Sequence, residues 1–213
     1  MGALNILAEI EESHPFFELL RDSGFCVYSW ESVWKLPTDK CTFNQKTCWQ
    51  IPDPVDENGV RTLYQTLVPP LVQNAEPFTN GGSPRLVYKR KSDLLAYVES
   101  MSGVNGIYLM PVIHPSVENI QLLLEDLVCQ FKGLGKPVYL QVRSYQAWLS
   151  EGLTALKAEP SPRFALLVKH LAVNQYSKVT VAQRSRSDQR QAEPTAPILQ
   201  NFNDNAPTIE VSK

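Results

Sequence analysis

The 213-residue chain lacks a charge excess of either sign. Twenty Lys and Arg against 22 Asp and Glu leave a formal net charge of −2. There is no basic surplus of the kind that draws a protein to nucleic acid or to anionic membrane. Long apolar runs are missing too, and none approaches the roughly 18 residues needed to cross a bilayer. The opening MGALNILAEIEESH places no Lys or Arg before its short, acid-interrupted apolar stretch, unlike a secretory signal. Cysteine is scarce. Cys26, Cys41, Cys48 and Cys129 form no C-x-x-C pair, which excludes a disulfide framework and the usual structural zinc site. Cys41 and Cys48 could pair if oxidised, but free thiols in a reducing cytosol, and hence a cytoplasmic protein, are the expectation. His14, His114 and His170 stand at no metal-ligand spacing, so no metal is expected. What is present is ordinary globular material: 43% hydrophobic and 20% charged residues can build a core, so collagen-like and wholly disordered classes are excluded.

The pattern along the chain alternates helices and strands. Residues 4–11 read as a strand or a weak helix. A helix follows over 14–23, with Ser13 as its expected cap, Pro15 just inside the start and Gly24 as its stop. The aromatic, β-branched FCVYSWESVWKL of 25–36 reads as a long strand. A polar linker (41–46) leads to a short strand at 47–51. A helix from Asp56 ends at Pro69 and Pro70, and 73–84 reads as a loop. Three strands are expected at 85–90, 93–101 and 105–113, then a helix over 115–131. A near-continuous apolar strand, PVYLQV, is expected at 137–142, a helix at 145–156 and a final strand at 163–173. Beyond 177 the apolar period dissolves, and 177–213 reads as a disordered tail.

Two stretches share one plan. A shift of 133 residues lays the helix and strand of 14–36 over those of 145–173, setting Glu18 on Glu151 and Leu20 on Leu153. Neither unit buries its apolar face alone. The first must either belong to a sheet preceding it or borrow the sheet formed by residues 47–173.

The order strand, helix, three strands, helix, strand, helix, strand resembles the GNAT superfamily of acyl-CoA-dependent N-acyltransferases. The resemblance rests on WQIPDPVDENGVRTLYQTL, on NGIYLMPVIHPSVENIQLLLEDLVCQF and on PVYLQVRSYQAWLSEGLTALKAEPSPRFALLVKHLAV. HPFFELLRDSGFCVYSW looks like the end of a preceding unit. The resemblance therefore implies a tandem protein with a truncated first repeat: a partial unit at 1–40 and a full unit at 47–176. The implied fold is α/β (α+β), a mixed, mostly antiparallel sheet flanked by helices.

The resemblance also says where chemistry should sit. The family's central strand splays from its neighbour, and a loop like R/Q-x-x-G-x-G/A holds the acyl-CoA pyrophosphate on backbone N–H groups. The matching stretch here, Val112 to Asn119, holds no glycine, and Pro115 removes a donor while Glu118 adds a negative charge. Val112, Ser116, Val117 and Asn119 remain the candidate cofactor-binding positions through a helix N-terminus. Where the family often places a proton-donating Tyr before Gly-Phe, this chain has Leu20 and Leu153. Tyr145 is the nearest substitute, and His114, at the end of the central strand, is the candidate general base. The expectation is a degenerate, non-catalytic binding or structural module. The alternative is an active N-acetyltransferase using acetyl-CoA on an amine. A small molecule or none is expected as partner, and a homodimer is expected from apolar surface left by the truncated unit.

Overall fold

A computed structural model describes residues 4–38, 48–79 and 83–171. The expected linker at 41–46 and tail at 177–213 lie outside these residues. The strands are β1 (Asn5–Glu11), β2 (Cys26–Leu36), β3 (Trp49–Gln50), β4 (Arg85–Arg90), β5 (Asp93–Ser102), β6 (Ile107–Ile113), β7 (Val138–Arg143), β8 (Glu159–Pro160) and β9 (Phe164–His170). The helices are α1 (Phe16–Asp22), α2 (Asp56–Leu67), α3 (Pro70–Ala75), α4 (Ile120–Gln130) and α5 (Leu149–Ala155). The main sheet runs β1-β9-β2-β7-β6-β5-β4-β3, with β8 paired to β2. Among the described residues only β6 and β7 pair in parallel, and every other pairing is antiparallel. This is the mixed, mostly antiparallel sheet flanked by helices that the element order implied.

Alternation assigns the two faces. Ile107, Leu109, Val138, Leu140 and Trp34 point to one side, where Leu123, Leu124, Leu127 and Val128 of α4 and Leu149 and Leu153 of α5 cover them. Val87, Tyr97 and Val112 point to the other side, beneath Val60 and Leu63 of α2 and Val72 of α3. The α2–α3 side covers the β4–β6 half of the sheet. Over β7 and β2 that face carries Gln141, Arg143, Tyr28 and Glu31, and the candidate site lies there.

β2 comes from the start of the chain yet lies between β7 and β9, paired to both. The N-terminal helix–strand unit thus takes the second course open to it and joins the sheet of the later residues. The two helix stops match bond for bond. Phe25 N–H donates to Leu20 O at 3.1 Å and Gly24 N–H to Arg21 O at 2.9 Å. At the same shift of 133, Ala158 N–H donates to Leu153 O at 3.0 Å and Lys157 N–H to Thr154 O at 2.9 Å. Both are Schellman stops, which need a left-handed residue after the helix. Gly24 (φ 88°) meets that need freely, whereas Lys157 (φ 62°) does so against its own Cβ.

Some helix ends differ from expectation. Ser13 does not cap α1. Pro15 holds that position with no side-chain bond, and the Ser13 hydroxyl donates to the Glu11 carboxylate. Pro70 does not merely disturb α2 but opens α3 at the first helical position, where its missing N–H costs nothing. The segment from 144 begins as a 3₁₀ turn (Ser144–Gln146) and becomes helical only at Leu149. Replacing Lys157 by Gly should relieve the left-handed strain and stabilise the fold by about 0.5–1 kcal/mol, net of glycine's chain entropy. Urea unfolding of both proteins measures this, and a less stable variant would contradict it.

Candidate functional site

The site begins where two parallel strands part. Pairing of β6 with β7 covers only Ile107↔Val138, Tyr108↔Tyr139 and Leu109↔Leu140. Past that point β6 runs on to Ile113 and β7 to Arg143 without pairing to each other. The closed end is pinned by Gly106. A Cβ there would lie 2.7 Å from Pro137 O, and its φ of 154° suits glycine. The opening is therefore at the carboxyl ends of the parallel strands, where open sheets take ligands.

The β6 wall of the opening is already bonded. Backbone groups alternate sides along a strand. Ile107 N–H points toward β7, donating to Pro137 O at 2.9 Å, and His114 N–H points toward β5, donating to Leu95 O at 2.8 Å. Odd positions thus face β7 and even ones face β5. In the splayed part the odd positions are 111 and 113. Pro111 has no N–H. Ile113 N–H donates to Gln146 Oε1 at 2.9 Å, and Gln146 Nε2 donates to Pro111 O at 2.9 Å. The Gln146 side chain, 2% exposed, stands in for the strand partner that β6 has lost. Between Met110 and Ile113, β6 offers the opening no unbound N–H.

The β7 wall carries an ion network. Arg143 Nε donates to Glu31 Oε2 at 2.9 Å, and its terminal nitrogens reach Glu76 at 3.1–3.2 Å. Gln141 Nε2 adds a 2.5 Å bond to Glu31, the Tyr28 hydroxyl donates to Glu76, and Tyr64 donates to the Glu76 carbonyl at 2.5 Å. One cation thus serves two carboxylates, Glu31 buried and Glu76 partly exposed. Burial pushes the Glu31 carboxyl above its usual range, and Arg143 only partly offsets this. Tyr28 stands above the ordinary phenol range, first through burial and then through Glu76.

Arg143 and Glu76 line two neighbouring cavities. One, of about 180 Å³, lies under α2 and α3 and is lined by Tyr64, Tyr97, Met110, Pro111, Val112 and Tyr145 among others. The other, of about 470 Å³, lies over β2 and β9, with Tyr28, Glu31, Tyr108 and Leu166 among its walls. Tyr145 and Val112, both singled out from sequence, therefore meet in the first cavity. Burial pushes the Tyr145 phenol up to about 12, so it remains protonated at neutral pH.

The other candidate positions go elsewhere. His114 Nδ1 lies 2.7 Å from Ser116 Oγ and accepts from Ser116 N–H at 3.1 Å, while His114 O accepts from Val117 N–H at 3.1 Å. The residues 114–117 close a turn on themselves instead of starting a helix at Pro115. α4 begins at Ile120, and Asn119 Oδ1 caps it by accepting from Leu122 N–H at 3.0 Å. Glu118 pairs with Arg90 at 2.8 Å. Val117 and Asn119 line a third cavity, with Cys48, Tyr88 and Leu123. Glu31, Glu76, Gln141, Arg143 and Gln146 were not singled out from the sequence. The available signal was the polar run Arg143-Ser144-Tyr145-Gln146, directly after the near-continuous apolar stretch PVYLQV.

No protein-family model and no curated protein matches the sequence. Solved structures do match its shape. A functionally unknown conserved protein from Staphylococcus epidermidis aligns with a TM-score of 0.56 at 10% identity, covering 79% of this chain and 73% of that one. A protein from Novosphingobium aromaticivorans, assigned to the GNAT family of acetyltransferases, aligns with a TM-score of 0.53 at 12% identity, covering 80% and 77%. At such identities the likeness concerns architecture, and the chain has the GNAT acetyltransferase fold.

Gln146→Leu should leave Ile113 N–H buried and unpaired, costing about 1–3 kcal/mol. That is a fall of roughly 2–4 °C in Tm per kcal/mol for a domain of this size, and an unchanged Tm would refute the role of Gln146. The raised Glu31 carboxyl also has a consequence for pH. The folded state holds that proton more tightly than the unfolded state, so this part of the stability falls as pH rises from the ordinary glutamate range through the folded pKa. Glu31→Gln lacks the term. Its stability relative to wild type should improve from pH 4 to pH 7 in denaturant titrations, and a constant difference would count against a raised Glu31.

Proposed function

We propose that this chain is a GNAT-fold binding or structural module that does not transfer acyl groups. The observation that carries this reading is the sealed β6 wall. Acyl transfer needs N–H donors aimed at the thioester carbonyl as charge develops on its oxygen. Here Pro111 has no donor and Gln146 occupies that of Ile113. The cofactor's other contacts fit poorly as well. The turn before α4 spends the Ser116 and Val117 N–H groups on His114, Asn119 caps the helix, and Glu118 adds negative charge. Leu153, where the family often has a proton-donating Tyr, is fully buried in the core beneath α5. The residues present do not fit acetyl-CoA, so no chemical step is assigned to it.

One observation favours the alternative, an N-acetyltransferase acting on an amine. Tyr145 lines the cavity beside Met110 and Val112 and stays protonated, as a proton donor must. The 180 Å³ cavity lies below the roughly 300–1,000 Å³ of usual small-molecule pockets. That volume suits a small polar ligand better than a cofactor with a long arm. A calorimetric titration with acetyl-CoA to 1 mM should release no binding heat. Binding with a sub-millimolar Kd would overturn the non-catalytic reading, and loss of that binding in Tyr145→Phe would support the alternative.

A further inference from the structure

The sheet has two outer edges, and they differ. At one end β3 is two residues long, too short to template another strand. At the other end lies β1, seven residues long, with no Pro, no Lys and no bulge. Among the described residues no strand pairs with its outer side.

The backbone of β1 is divided cleanly. Leu171 N–H donates to Leu4 O at 2.8 Å and Glu12 N–H to Arg163 O at 3.0 Å, so the even positions of β1 bond to β9. The odd positions, Asn5, Leu7, Glu9 and Glu11, turn their N–H and C=O groups outward. The exposed apolar side chains gather at the same end. Leu4, Ile6 and Leu7 of the first segment, Phe16 and Leu19 of α1, and Leu171 after β9 are six of the 13 exposed large hydrophobics among the described residues.

We propose that this edge pairs with the β1 edge of a second copy of the chain, antiparallel about a two-fold axis at Ala8. Three independent constraints select this register. Full overlap of residues 5–11 with themselves requires Asn5 opposite Glu11, Ile6 opposite Ile10, Leu7 opposite Glu9 and Ala8 opposite Ala8. Bonding between strands requires outward positions to face outward positions, and this register sets odd against odd. Like charges directly opposite destabilise a pair, and here no carboxylate faces a carboxylate. Moving the axis one residue onward, to Glu9, also keeps odd against odd but sets the two Glu9 side chains against each other. The strand is therefore self-complementary, as a two-fold interface must be. Ile6 and Ile10 form the cross-strand apolar pairs on the face that carries α1.

Light scattering on size-exclusion chromatography of the full chain at about 50 µM measures the state. The expected mass is twice the 24.0 kDa of one chain. Two variants test the register, because Leu7 faces the partner's Glu9. Leu7→Glu sets like charges opposite each other and should raise the dimer dissociation constant at least about tenfold. Leu7→Lys sets opposite charges together and should leave the dimer intact or tighter. Circular dichroism confirms that each variant is folded, and neither change removes an internal backbone bond. A monomeric wild type, including one whose own residues 172–213 cover the edge, overturns the proposal. Dimers that ignore both variants place the interface elsewhere, and dimers lost in both refute the register.

Discussion

The insertion of β2 between β7 and β9 is the pairing on which the sheet depends. β2 bonds to β7 through Glu31–Leu36 and to β9 through Cys26–Glu31. Remove it and β9, with β1 beyond it, has nothing to join. Remove β9 instead and β1 loses its neighbour, while β2 keeps on that side only the two-residue β8 among the described residues. Residues nearly 140 apart in sequence are thus made adjacent, and the loop-closure cost of doing so grows only slowly with separation. Both helix stops serve this arrangement. The Schellman turns after α1 and α5 release the chain into strands of the same sheet half, through the same pair of bonds.

That insertion also builds the candidate site. β2 brings Tyr28 and Glu31 to the face where β7 presents Gln141 and Arg143, and α3 ends beside them at Glu76. None of these groups would be tolerated buried alone. Together they satisfy one another, and the raised Glu31 carboxyl marks the burial that the network does not fully offset. The splay between β6 and β7 creates a second demand, because each strand loses a partner. On the β6 side Gln146 meets that demand through its bonds to Ile113 N–H and Pro111 O. The opening between β6 and β7 persists while local side chains complete its bonding internally.

Element order was legible because it depends on local periodicity. The apolar PVYLQV and the 3.6-residue stripe of α4 announce themselves within a few residues. Leu20 and Leu153 also stood in matching positions before any coordinates, since a helix stop is local chemistry. The start of α4 was harder. Pro115 suits a first helical turn, but the His114 side chain captures Ser116 N–H and the carbonyl captures Val117 N–H, so the helix waits for Asn119. Two capping arrangements compete there, and composition alone does not separate them.

By itself the sequence determined an ordinary globular composition without charge excess, the succession of helices and strands, and a central-strand loop without glycine. These are properties of near neighbours along the chain. The tertiary structure alone decided the strand order, the burial of Glu31 against Arg143 and Glu76, and the use of Gln146 to bond Pro111 and Ile113. It alone also left β1 at an edge with no partner strand among the described residues. The physical reason is common to all four. Each depends on groups brought together across the sheet from distant parts of the chain, where a polar residue reads the same whether it will face water or a partner.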